Sequence, residues 1–288
     1  MKLWIVGKQG LLANALRTEC HQRQHPYAAT SRDEVNILDS QEICDFMESF
    51  QPTHILNAAA YTQVDLAEKE KDAAYALNVT GVENLVYAAQ KYGAKLVHFS
   101  TDYVFSGQQS IPYREGDLPR PINYYGETKF LGEQAIWRHL ENGLVLRTSW
   151  LFGRTGNNFV SKIKYLMGKH ETLSIVKDQF GRPTFAEDLA KAALSLLDHA
   201  GLYHFANRGE GSWFDLAGEI LLQLQKEQDI ICREIKPIAT KEYPTLARRP
   251  KFSVLATEKI EKEGIRIRPW REALQDALCI EKERKIGC

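Results

Sequence analysis

Tyr125 and Lys129 stand four positions apart in the run Tyr125-Gly126-Glu127-Thr128-Lys129, a spacing that stacks both side chains on one face of a helix. A phenol with a pKa near ~10 is a poor acid at neutral pH until a neighbouring cation stabilises its phenolate and draws that value toward the working range. The pair therefore reads as a proton-transfer group and its tuning charge. Tyr124 precedes Tyr125, but only Tyr125 has a lysine four positions on. The same spacing is ordinary on solvated helices, so its weight depends on the elements around it.

Two segments supply those elements. Lys2-Leu3-Trp4-Ile5-Val6 reads as a short buried strand, which runs into Gly7-Lys8-Gln9-Gly10-Leu11-Leu12-Ala13 and then a helix through Ala15, Leu16 and Cys20. A strand, a glycine turn and a helix N-terminus bring backbone N–H groups and the positive end of the helix dipole to one point, where a pyrophosphate binds. The glycine spacing differs from the common six-residue dinucleotide fingerprint, and the last small position is Ala13, so the turn alone is also compatible with a plain strand-to-helix connection. The second segment, Leu96-Val97-His98-Phe99-Ser100-Thr101-Asp102-Tyr103-Val104-Phe105, is an apolar strand that ends in hydroxyls and a carboxylate. In an open parallel sheet that end faces the ligand crevice, which offers Ser100, Thr101 and Asp102 as further catalytic groups; as common turn residues they also suit a cap.

Strands are expected near residues 2 to 6, 26 to 29, 54 to 58, 96 to 100 and 143 to 147, with helices between them. That alternation predicts an α/β fold, a doubly wound parallel sheet with right-handed crossovers. A helix from Asp72 to Tyr92 carries alanine, leucine and valine at helical spacing and reads as scaffold. After residue 150 the pattern is less regular: a strand over Leu173 to Val176 and helices from Ala186 to His199 and from Trp213 to Gln225. The second strand leads into Thr30-Ser31-Arg32-Asp33-Glu34. An arginine there pairs with the 2′-phosphate of NADP, whereas an acidic residue serves the ribose 2′-hydroxyl of NAD. Arg32 favours NADPH, with NADH as the alternative that Asp33 and Glu34 keep open.

At 288 residues the chain is long enough to bury a substantial core, and its 37 lysines and arginines balance 37 aspartates and glutamates. No basic stripe points to nucleic acid, no apolar run is long enough for a membrane, and the first apolar run is the expected nucleotide-binding strand rather than a signal peptide. A cytoplasmic protein is expected. Cys20, Cys44, Cys232, Cys279 and Cys288 are scattered and odd in number, which fits neither a zinc site nor a disulfide framework. His21 and His25 read as a solvated helix end beside Pro26, and no protein-ligated metal is expected.

Together these segments resemble the extended short-chain dehydrogenase/reductase superfamily and, within it, the dTDP-4-dehydrorhamnose reductase family. The resemblance runs through Asn57-Ala58-Ala59-Ala60-Tyr61-Thr62, Val64-Asp65, Glu68, Asn78-Val79 and the Ser-Thr-Asp-Tyr-Val-Phe run. In the second half it is carried by Arg147-Thr148-Ser149-Trp150, Gly156-Asn157-Asn158-Phe159, Asp178-Gln179-Phe180-Gly181-Arg182-Pro183-Thr184, Gly201-Leu202-Tyr203-His204-Phe205 and Ala247-Arg248-Arg249-Pro250. It implies a Rossmann-like domain, mainly residues 1–150, and a smaller substrate lobe, mainly residues 151–288, with some elements returning to the first domain. It implies hydride transfer from a nicotinamide to C4 of a dTDP-linked 4-keto-6-deoxy sugar. Tyr125 would protonate the C4 oxygen, Lys129 would tune it and bind the nicotinamide ribose, and Thr101 would hydrogen-bond the same oxygen.

The resemblance also implies that Asp102 contacts the sugar and that Trp150 packs on the hexose, where a plain core aromatic is the other reading of Trp150. A diphosphate needs a cation, and Arg249 offers a bidentate fork. Asp39 would lie near the adenine, while Gly7, Gly10, Leu11, Leu12, Ala58, Ala59 and Tyr61 would line the cofactor channel. Leu11 replaces a glutamine and Ala13 a glycine common in the family, changes that binding should survive. The family allows a homodimer and a Mg2+ ion at a subunit contact, for which the sequence assigns no ligands. A reductase of another nucleotide-linked keto sugar and an idle regulatory subunit like that of methionine adenosyltransferase are the alternatives; the intact Thr101, Tyr125 and Lys129 set argues against the second.

Overall fold

A computed structural model describes residues 1–227 and 229–278. Strand β1 (Leu3–Val6) leads into helix α1 (Leu11–Gln22), β2 (Tyr27–Thr30), α2 (Ser40–Phe50) and β3 (His54–Asn57). Next come α3 (Val64–Ala67), then α4 (Lys71–Tyr75), a π-turn (Ala76–Thr80) and α5 (Gly81–Tyr92), followed by β4 (Lys95–Thr101), α6 (Tyr124–His139) and β5 (Leu144–Thr148). The second half holds β6 (Leu151–Phe152), α7 (Phe159–Met167), β7 (Thr172–Val176), β8 (Phe180–Gly181), β9 (Thr184–Phe185), α8 (Ala186–Ser195) and β10 (Gly201–His204). It closes with β11 (Gly211–Ser212), α9 (Trp213–Glu227), β12 (Glu234–Ile238), α10 (Glu258–Lys262) and α11 (Trp270–Leu278).

Period-2 alternation explains how the sheet is buried on both faces. Leu3 and Ile5 of β1 join Leu56, Val97, Leu144 and Leu146 in a core covered by α1 and α8, while Trp4 and Val6 join Ile55, Leu96 and Val145 under α2, α5 and α6. Six strands pair in the order β2-β1-β3-β4-β5-β10, all parallel. The order reverses between β1 and β3, so the ligand crevice is expected over the carboxyl ends of those strands. The doubly wound Rossmann-like sheet is therefore present. Its sixth strand, β10, comes from the second half of the chain, and α8 from that half covers α1.

The second strand begins at Tyr27 rather than at residue 26, because Pro26 has no N–H to give the ladder; its carbonyl takes the Leu3 N–H instead. The helix expected over residues 72 to 92 contains the π-turn, a wide turn that points Asn78 at both the backbone of Tyr61 and the hydroxyl of Thr128. A separate core packs Phe152, Ile163, Leu216, Ile220, Trp270 and Leu274 between α7, α9 and α11. Cys20, Cys44 and Cys232 are buried free thiols, and Cys279 and Cys288 lie outside the described residues. No helix among the described residues is long and apolar enough to cross a membrane, and among them no three His, Cys, Asp or Glu side chains gather where they could hold a metal ion.

Candidate active site

Gly7 opens the first turn with φ of +93°, and a β-carbon there would come within 2.9 Å of the Ala59 nitrogen. The loops after β1 and β3 thus touch backbone to backbone, an approach only glycine permits. Gly7 and Lys8 donate to the Thr30 carbonyl at 3.0 and 2.9 Å, and Gly10 caps α1. A cleft of about 460 Å³ lies over this turn, lined by Gly7, Gly10, Arg32, Leu38, Ala58, Ala59 and Tyr61 among others. Arg32 is exposed at its edge. The carboxylate of Glu34 is drawn to Lys8 Nζ and to the Ser31 N–H, each at 2.7 Å, which holds it well below the usual carboxylate range at about 2. Asp39 is absent from the cleft lining. It caps α2, accepting from the N–H groups of Gln41 and Glu42, and Ile37 and Leu38 supply the apolar wall instead.

A second cavity, about 470 Å³, shares Gly10 and Ala58 to Ala60 with the first and holds Leu11, Leu12, Thr101, Asp102, Tyr125, Lys129 and Trp150 on its wall. These residues come from the first turn and the start of α1, the loop after β3, the end of β4 and the turn that follows it, α6, and the segment after β5. Asn123 caps α6 by accepting from the Gly126 N–H at 2.8 Å, which sets Tyr125 in the first turn. A β-carbon at Gly126 would strike the Tyr103 carbonyl, so this glycine lets the start of α6 lie against the turn that carries Thr101 and Asp102. Tyr125 meets Tyr103 edge to face at 6.0 Å.

Lys129 departs from the sequence expectation. Its Nζ donates to the Phe99 carbonyl at 2.7 Å and lies 3.0 Å from His98 Nε2, so the side chain reaches back to β4. Burial lowers Lys129 to about 8, with Glu133 opposing. The phenol of Tyr125 is not lowered in this arrangement: burial pushes it up to about 12, against a contact with the Thr101 hydroxyl and with a smaller push from Asp102. Arg249 also departs. Its guanidinium forms a fork with the Asp65 carboxylate at 3.1 and 2.6 Å and is not among the residues lining the cavity.

Asp102 is only 2% exposed and receives hydrogen bonds from Ser253 Oγ at 2.5 Å and Thr101 Oγ1 at 3.1 Å. Burial pushes its carboxyl up to about 7, the two hydroxyls opposing. Below about pH 4 this group is protonated in both the folded and unfolded chain; between 3.8 and about 7 only the unfolded chain releases its proton. Its contribution to stability is therefore lost as pH rises through that window, a cost on the order of 4 kcal/mol. We predict that Asp102→Asn, neutral at every pH, gains stability relative to the parent from pH 4 to 7 and levels off above. Urea midpoints across that range would check this, and two parallel curves would refute it.

Trp150 adopts φ of +47°, a left-handed backbone rare outside glycine, and its indole stacks on Trp213 at 3.6 Å and 9°. Ser100 and Thr148 also line the cavity, and their buried hydroxyls have no hydrogen-bond partner among the described residues. Of these two only Ser100 is offered by the sequence, as part of the polar end of β4, and Thr148, His98, Asn57 and Ser253 are given no role there. The partners of His98, Asn57 and Ser253 lie on other elements, and no spacing along the chain signals that.

The family model for the RmlD substrate binding domain matches residues 1–282. The chain belongs to the RmlD family. The spore coat polysaccharide biosynthesis protein SpsK of Bacillus subtilis (strain 168) is 37% identical over 288 residues, spanning 100% of this chain and 99% of SpsK. The dTDP-4-dehydrorhamnose reductase of Escherichia coli (strain K12) is 38% identical over 252 residues, 84% of each protein. A crystal structure of dTDP-4-dehydrorhamnose reductase from Bacillus anthracis str. Ames in complex with NADP superposes with a TM-score of 0.91 at 35% identity, covering 96% of this chain and 98% of that one. These RmlD relatives agree with the two adjoining cavities, one shaped like a nucleotide cleft and one polar at the carboxyl ends of β4 and β5.

Proposed function

We propose that the chain reduces dTDP-4-dehydro-β-L-rhamnose to dTDP-L-rhamnose, with NADPH as the hydride donor. The observation that carries this reading is the convergence of Thr101, Tyr125 and Lys129 on a cavity whose wall is shared with the nucleotide cleft. The cleft fits a dinucleotide: Gly7 lets the first turn seat against the Ala59 backbone to form a floor suited to a pyrophosphate, and Arg32 at the edge suits a 2′-phosphate. When bound, the dihydronicotinamide supplies the hydride that reaches C4 of the sugar.

Negative charge gathers on the C4 oxygen as the carbonyl is reduced. Tyr125 hands its phenolic proton to that oxygen, and a charged Lys129 stabilises the phenolate left behind. Asp102 has both oxygens engaged, so we assign it the task of orienting Thr101 rather than touching the sugar. Protonated on Oδ1 it donates to the Thr101 hydroxyl, which frees Thr101 to donate to the C4 oxygen, while Oδ2 keeps the Ser253 bond. Trp150, held by Trp213, forms an apolar platform for the hexose. Arg249 reaches a diphosphate only by exchanging the Asp65 carboxylate for phosphate oxygens. We assign the chain after residue 150 mainly to the substrate lobe, from which Leu151 and Asn157 reach the cavity wall, and the reaction suits the cytoplasm, where nucleotide sugars and NADPH meet.

The test is NADPH oxidation, followed at the nicotinamide absorbance, with the 4-keto sugar generated from dTDP-glucose by the upstream enzymes. Formation of dTDP-L-rhamnose supports the proposal. Cofactor binding without turnover points to another nucleotide-linked keto sugar. In the same assay Arg32→Ala is expected to lower kcat/KM for NADPH by roughly 10- to 100-fold and leave NADH nearly unchanged, the worth of a hydrogen-bonded charge pair. Equal losses with both cofactors would remove Arg32 from the 2′-phosphate.

A further inference from the structure

Behind Lys129 lies a line of buried polar groups that leads back to the nucleotide cleft. His98 Nδ1 is 3.1 Å from Asn57 Nδ2, and Asn57 Oδ1 accepts the Ala59 N–H at 3.2 Å. Asn57, His98 and Lys129 are 1%, 0% and 2% exposed, so water does not relieve a mismatch among them. Ala59 is on the wall of both cavities.

Donor bookkeeping fixes the protons. The Ala59 N–H requires an oxygen, which orients the Asn57 amide and turns its NH₂ toward His98 Nδ1. That nitrogen must then accept, so the neutral imidazole carries its proton on Nε2 and points it at Lys129 Nζ. An amine in that place donates to the Phe99 carbonyl and accepts from Nε2–H. An ammonium has no lone pair and would face a donor with a donor.

We propose that Asn57 and His98 are positioning residues that couple the charge on Lys129 to the Ala59 N–H in the nucleotide cleft. An uncharged Nζ goes with a closed Ala59–Asn57 bond, and a charged one requires that bond to open. An acceptor oxygen of a bound dinucleotide that takes the Ala59 N–H lets the Asn57 amide turn over. His98 then carries its proton on Nδ1, Nε2 becomes an acceptor, and Lys129 gains one proton from solvent.

Burial and Lys129 hold the imidazole of His98 well below its ordinary range, so the ring stays neutral and changes only its tautomer. Among the described residues, the other ionisable groups around the pair are Glu133 on α6, which is matched by Arg147 on β5, and Tyr125 and Asp102 on the cavity side. This device rests on the reductase reading for its purpose, though its first measurement needs no substrate.

That measurement is the imidazole ¹⁵N spectrum of His98 in the free protein and in the protein saturated with NADP⁺, between about pH 5 and about pH 9, where an ordinary imidazole titrates. The Nε2–H tautomer in the free protein and the Nδ1–H tautomer in the complex are expected. An Nδ1–H ring in the free protein, or one unchanged by NADP⁺, overturns the coupling. His98→Gln, whose amide can turn an oxygen to Nζ, should move the alkaline limb of kcat/KM for NADPH, which reports the free protein, up by about one pH unit, a tenfold change in proton affinity. A superimposable limb overturns the proposal, and the spectrum decides alone if that variant does not fold. Absence of turnover together with the tautomer switch would sink the substrate assignment and leave the coupling standing.

Discussion

Replacing Tyr125 with phenylalanine is expected to lower kcat by about 10²- to 10⁴-fold, the range for loss of a positioned general acid. The phenol stands in the cavity at the first turn of α6, beside the Thr101 hydroxyl. Removing one oxygen leaves the ring packing on Tyr103 and opens no core cavity, so the urea midpoint should stay close to that of the parent. KM for NADPH should change little, because the groups on the wall of the nucleotide cleft are untouched. Steady-state kinetics paired with urea unfolding checks all three expectations. Retention of full activity would remove Tyr125 from the proton-transfer step.

The largest effect on stability is expected at Glu133 and Arg147. Arg147 Nε and Nη2 meet the two carboxylate oxygens of Glu133 at 2.8 and 2.6 Å, and their side chains are 0% and 3% exposed for Glu133 and Arg147 respectively. Arg147 Nη1 has no partner among the described residues, and the guanidinium lies 5.1 Å from the ring of Phe105. Glu133→Gln leaves a buried guanidinium without its counter-charge, a loss of about 3–5 kcal/mol. For a chain of this size the thermal midpoint should fall by roughly 10 °C. The double variant Glu133→Leu with Arg147→Met removes both charges and should recover most of that loss. Calorimetry of the single and double variants gives the answer, and equal midpoints for both would show that the pair is not what stabilises this contact.

What could be read from the sequence is what one element carries by itself. The β1 strand, its glycine turn and the alternation of strands and helices are local patterns, and the structure contains the five expected strands within a residue or so of their predicted ends. Tyr125 and Lys129 do share α6, as their spacing requires. What Lys129 binds was not legible, because His98 and Phe99 lie about thirty positions away on β4 and a four-residue spacing says nothing about them. Asp39 illustrates a different limit. An aspartate before a helix suits a cap as well as a ligand, and here its oxygen satisfies the first N–H groups of α2. For Arg249 the competitor was Asp65, 184 positions away along the chain. Charged forks choose partners through the fold, and a linear motif cannot rank them.

The origin of β10 also bears on the order in which the nascent chain can fold. Residues 201–204 complete the sheet beside β5, and α8 covers the apolar side of α1 formed by Leu12, Leu16 and Cys20. Until those later residues leave the ribosome, β5 presents an open edge and α1 an uncovered apolar stripe, two features that favour association with other chains. Folding of the nucleotide-binding half therefore waits on the C-terminal half. The two halves form a single cooperative unit in biosynthesis, and the cavity wall that carries Thr101, Tyr125 and Lys129 belongs to the half that waits.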